Sequence, residues 1–164
     1  MNLEQSAAAF VIGVLPPERL PDVAVSALES GLDSRSLATL AGTPARANPD
    51  DLRALFAQAL RELQLRLPSA LEAAALLKQY YAAQVAARDL PPREGARLIV
   101  ERIFHQIDDL LPPGAYLGES FGIAQLVGLF YNYDDVPFND HASIAEIDAA
   151  IVEECNRISR EQAA

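Results

Sequence analysis

Apolar residues recur along this chain at spacings of three and four, the pattern of helices that each bury one face. Residues Asn2 to Val14 place Leu3, Ala7, Phe10, Val11 and Val14 on one side, and Leu15-Pro16-Pro17 ends the run. Leu20 to Glu29 makes a second helix, entered through Pro21 and closed at Gly31, a residue suited to a helix C-terminus. Asp33 or Ser34 caps a short third helix that carries Leu37 and Leu40 and stops at Gly42. After a loop over Thr43 to Asn48, Pro49-Asp50-Asp51 opens a fourth helix with Leu52, Leu55, Phe56, Ala59, Leu60 and Leu63 as its stripe.

The centre of the pattern runs from Leu67 to Leu111. Ser69 and Glu72 have the spacing of a capping box. From Leu71 to Ala87 only Glu72, Lys78, Gln79 and Gln84 are polar, and a helix apolar on nearly every face is expected to be wrapped by its neighbours. Asp89-Leu90-Pro91-Pro92 stops it, because a residue before proline avoids the helical region. A second helix follows, with Ala96, Ile99, Val100, Ile103, Ile107 and Leu110 as one stripe and Glu94, Arg97, Glu101 and Arg102 largely opposite, at ion-pair spacing. The two helices make an antiparallel hairpin over 69–111. Asp108 and Asp109 fall in its last turn, where the helix dipole disfavours negative charge.

Pro112-Pro113-Gly114 is a breaker. Within Tyr116 to Tyr133, the apolar and β-branched stretch Ile123 to Phe130 has strand propensity, whereas the helical neighbours and the lack of a pairing strand favour helix. Asn132 to Asp140, NYDDVPFND, reads as a loop. Ser143 and Glu146 form a second capping box that opens a final helix with Ile144, Ile147, Ile151 and Ile158 at core spacing. The expectation is one all-α domain over 1–164, a multi-helix bundle or helical-hairpin array of about seven to eight helices around the central hairpin. It would have N-terminal helices over 1–66, the hairpin over 67–111 and C-terminal helices over 112–164.

Composition narrows the partners. A chain of 164 residues with 51% hydrophobic and 22% charged residues can bury a core and is not disordered. Its net charge of −10 repels nucleic acid and anionic membranes and suits a basic protein partner. Cys155, the sole cysteine, has no internal disulfide partner, which fits a reducing, cytoplasmic location. The apolar run Ala7 to Leu15 lacks the basic flank of a signal peptide, and no segment has the length to span a bilayer.

Candidate chemistry is thin. Glu101 and His105 lie four apart, followed by Asp108 and Asp109, but the facing helix offers Glu72 as its only carboxylate for a metal. Cys155 adjoins Glu153 and Glu154, which oppose a thiolate. Neither His105 nor His141 is paired with a nucleophile, and the glycines of GAYLGESFG do not match a phosphate loop. No catalytic residue, metal or cofactor is expected. The segment Phe130 to His141 stands apart, because it interleaves Tyr131, Tyr133 and Phe138 with Asp134, Asp135 and Asp140. Aromatic anchors beside carboxylates suit the docking of a basic protein; equally, the aromatics could tuck into the core while the acids stay solvated. Two rival functions remain open. One is an enzyme or small-ligand site in the helical core near Tyr80, Tyr81 and His105, the other a structural or oligomerisation module with an exposed apolar patch.

Two stretches, ALESGLDSRSLATLAG from Ala27 to Gly42 and YYAAQVAARDLPPREGARLIVERI from Tyr80 to Ile103, resemble a loose group of small all-helical bacterial proteins. Some members of that group are similar to immunity proteins encoded beside toxins. The resemblance implies a small acidic binding protein without chemistry of its own, one that holds a basic, nuclease-type toxin domain in a neutral complex.

Overall fold

The computed structural model describes residues 1–110 and 117–160; the breaker Pro112-Pro113-Gly114 lies outside them. The chain is all-α, with nine α-helices and no strand among the described residues. It forms two compact units, 1–73 and 74–164, whose boundary falls inside the fifth helix.

The first unit holds α1 (Leu3–Val11), α2 (Leu20–Glu29), α3 (Arg35–Ala41), α4 (Pro49–Glu62) and the first turn of α5 (Ala70–Ala86). The stripes read from the sequence meet here: α2 packs on α3 and α3 on α4, burying Leu20, Leu37, Leu40, Leu52 and Phe56 completely. Phe10 meets Phe56 edge to face at 5.5 Å. Side chains satisfy first-turn backbone donors of α1, α3, α4 and α5. Asn2 and Gln5 close a capping box on α1, and Ser34 accepts from the Leu37 N–H. The expected box on α5 is present, with the Ser69 N–H 2.8 Å from Glu72 and the Glu72 N–H 3.3 Å from Ser69 Oγ.

Gly31, at φ +91°, ends α2, and the Leu32 N–H turns back to the Ala27 carbonyl at 3.1 Å, a closure that needs a left-handed residue. The same closure recurs at Gln64 after α4 and at Arg88 after α5, with φ of +59° and +64°. Leu65 and Asp89 there donate to Leu60 and Gln84.

The second unit contains the rest of α5 with α6 (Pro92–Arg97), α7 (Leu117–Ser120), α8 (Ala124–Asp135) and α9 (His141–Arg160). Helices α6, α8 and α9 pack on one another. Gly95 lets α6 approach the end of α5; a Cβ there would lie 2.1 Å from Val85 Cγ2. Lys78, itself buried, donates to the Phe121 carbonyl at 2.8 Å, and Arg157 donates to the next carbonyl, Gly122, at 2.6 Å. Arg157 also takes both carboxylate oxygens of buried Glu154, so these cations hold the turn before α8.

Several expectations are corrected. The second helix of the hairpin is regular only as far as Arg97; Leu98–Ile103 is a π-helix, and Phe104–Gln106 and Asp108–Leu110 are 3-10 turns. The Phe104 N–H reaches the Ile99 carbonyl, five residues back. The wider turn lets Ile99, Val100, Ile103 and Phe104 all be buried, while Leu110 leaves the stripe and is 55% exposed. Asp108 and Asp109 open a separate turn, so the conflict with a helix dipole does not arise. Nor is α5 wrapped on all sides, since Leu71 is 42% exposed and Ala75 and Ala83 are exposed too. The favoured helical reading of Ile123 to Phe130 holds from Ala124 onward, while the extra helix α7 brings the number among the described residues to nine. Among the described residues, no helix is long and apolar enough to cross a membrane.

Candidate functional site

The junction of α8 and α9 carries the residues singled out from the sequence, arranged differently from the expected loop. Helix α8 continues past Asn132 to Asp135, so the irregular link is only Val136 to Asp140. Pro137 sets the stop: Val136 before it is extended, with ψ 128°, because a proline crowds a helical predecessor. Helix α9 begins at His141, not at Ser143. Its cap is Asp140, whose carboxylate accepts from the Ser143 N–H at 3.1 Å and the Ser143 hydroxyl at 2.8 Å. Those two bonds, the hydroxyl's first, hold the Asp140 carboxyl below its ordinary range. The Ser143–Glu146 reading is thereby overturned, because Ser143 lies inside the first turn and its N–H, which Glu146 would have taken, goes to Asp140.

The six candidates separate into two kinds. Tyr133 is 6% exposed; its hydroxyl donates to Asp148 and its ring lies 4.8 Å beneath the Arg93 guanidinium. Burial, and then the Asp148 carboxylate, push its phenol well above the ordinary value. Tyr133 and Asp140 therefore fix the junction. Tyr131, Asp134, Asp135 and Phe138 are exposed, Phe138 at 90%. Because α8 is helical through this stretch, Tyr131, Asp134 and Asp135 share a face at spacings of three and four. The Tyr131 ring meets Phe130 at 5.4 Å, and its hydroxyl lies 3.5 Å from His105 Nε2.

Other candidates go to structural work. Glu101 lies 3.9 Å from Arg97, which pairs more closely with Glu94 at 2.7 Å. Among the described residues, no three His, Cys, Asp or Glu side chains are grouped to hold a metal. Burial first, then Glu154, pushes the Cys155 thiol up to about 12, far from a nucleophile at neutral pH. Tyr80 and Tyr81 sit half-buried with their rings edge to face at 5.1 Å.

Sequence reasoning missed Asp148, Glu154 and Arg93. A signal existed for the two acids. Asp148 adjoins Ile147 on the core stripe, and Glu154 lies three residues after Ile151, so both fall at or beside buried positions of α9. No family model, no curated protein and no solved structure matches the chain.

Proposed function

We propose that this is a non-catalytic acidic binding protein that receives a basic protein at the α8–α9 junction. One observation carries the reading: Phe138, 90% exposed, follows three residues after a helix face bearing the exposed Tyr131, Asp134 and Asp135. An isolated exposed phenylalanine loses nothing to water by leaving it, and a partner pocket would bury it favourably. The two carboxylates, with the net charge of −10 behind them, would speed encounter with a cationic surface. Tyr133 and Asp140 hold this surface in place by their bonds to Asp148 and Ser143.

The resemblance to immunity proteins directs the choice of partner, a basic nuclease-type toxin domain held inactive in the cytoplasm. An acidic face there would stand in for the substrate's phosphates. The test is to titrate the purified chain with the basic toxin domain encoded beside it, following both binding and residual nuclease activity. Asp134→Lys with Asp135→Lys, and separately Phe138→Ala, should each weaken binding at least about tenfold, the charge variant chiefly through a slower on-rate. Binding unchanged in both variants would remove the surface from the reading. No binding by the wild type would end the reading itself.

A further inference from the structure

A cleft of about 650 Å³ opens between the α5–α6 turn and α9, within the range of small-ligand sites. Its apolar walls are Val85, Leu90, Val152 and the two prolines of the turn, and its charged groups are Arg88, Asp89 and Asp148. Asp148 is half-buried and accepts the Tyr133 hydroxyl through Oδ1. Among the described residues, no cation lies within ion-pair distance of either Asp148 or Asp89. The nearby Arg93 is spent over the Tyr133 ring. Two acids against one arginine leave the cleft an excess of negative charge.

We propose that this cleft binds a small organic cation, an apolar body carrying one protonated amine. A carboxylate at the edge of an apolar cleft gains most from a counter-ion, because the surrounding low dielectric strengthens the attraction. The ammonium group meets Asp148 on the oxygen that Tyr133 leaves open. The apolar body displaces water from the half-buried Leu90 and Val152, the larger non-directional gain. Anions are repelled by the same pair of acids. Tyr133 is the positioning residue, since its hydroxyl orients the Asp148 carboxylate. The site is separate from the exposed Tyr131 and Phe138 and stands or falls without them.

The test titrates the full chain by calorimetry and by amide chemical shifts with three matched probes, hexylammonium, hexan-1-ol and hexanoate. Hexylammonium should bind saturably and perturb the amides of Leu90 and Val152, with hexanol at least about tenfold weaker and hexanoate silent. Asp148→Asn should cut the amine's affinity by a similar factor and leave hexanol unchanged. Val152→Lys, on the half-exposed rim, fills the cleft with a cation and should abolish amine binding even if Asp148→Asn fails to fold. Equal binding of amine and alcohol, binding unchanged by Val152→Lys, or no saturable amine binding would each overturn the proposal.

Discussion

Ser36 and Glu62, 26 residues apart, are joined twice: the Ser36 N–H lies 2.9 Å and its hydroxyl 2.7 Å from the Glu62 carboxylate. The bonds tie the start of α3 to the end of α4 and satisfy a backbone donor that the helix itself leaves open. The Ser36 backbone bond, then its hydroxyl, lower the Glu62 carboxyl to about 2. A folded value below the unfolded one, roughly 4.3, means the stabilisation is complete above that pH and disappears as pH falls towards 2. Glu62→Gln should therefore unfold at lower urea than the wild type at pH 7, and the gap should close between about pH 4.5 and 2. Urea midpoints measured across that range decide it; a gap independent of pH would assign the stabilisation elsewhere.

Gly95 is demanded by proximity. Alanine would gain about 1 kcal/mol of helix propensity there, yet its Cβ would fall 2.1 Å from Val85 Cγ2 and 3.3 Å from Leu90 Cδ2. The overlap wins, and Gly95→Ala should cost about 1–3 kcal/mol. Adding Val85→Ala removes the clashing methyl, so the double variant should lose less than the two single losses together. A double-mutant cycle from urea unfolding should give a coupling of about 1 kcal/mol in that direction.

Gln64 runs the other way. It occupies the left-handed position at the end of α4 with a side chain, where glycine would carry no steric penalty. Its side chain is exposed, so little packing is lost on removal. Gln64→Gly should stabilise the protein by roughly 0.5–1 kcal/mol, seen as a higher melting temperature. Destabilisation would show that the unfolded chain's extra freedom outweighs the relieved strain.

Legibility followed the range of the interaction. The bounds of α2, the Ser34 cap and the Ser69–Glu72 box were readable because each rests on residues within four positions of one another. The start of α9 was misread because Asp140 and Ser143 both carry cap chemistry, and only geometry shows which one takes the donors. The π-helix at Leu98–Ile103 has no counterpart in a pattern of threes and fours. At the candidate site, the aromatic and acidic composition was plain. The division into exposed Tyr131 and Phe138 and buried Tyr133 was not, since Tyr133 is committed by Asp148, fifteen residues on.

Cys155 offers a direct probe of opening. The side chain is fully buried and its thiol is pushed up to about 12, so the native thiolate is scarce at pH 8. Reaction with a thiol reagent should run at least about a hundredfold slower than with a free cysteine and match it once urea unfolds the chain. A fast native reaction would mean that α9 opens readily.

Tyr133→Phe isolates the bond that anchors the α8–α9 junction, keeping the ring beneath Arg93 while removing the hydroxyl from Asp148. The loss at pH 7 should be about 1.5–3 kcal/mol, the usual worth of a hydrogen bond to a charged group. The phenol's folded pKa is raised, chiefly by burial and next by Asp148. Its contribution is thus complete below the unfolded value of roughly 10 and lost as pH climbs above it. The wild type's advantage over Tyr133→Phe should shrink from about pH 10 upward, because ionising the phenol favours the unfolded chain. Urea unfolding at pH 7, 9, 10 and 11 measures the trend. No advantage at any pH would mean the ring alone holds the junction, and an advantage level to pH 11 would mean that folding does not raise the phenol's pKa.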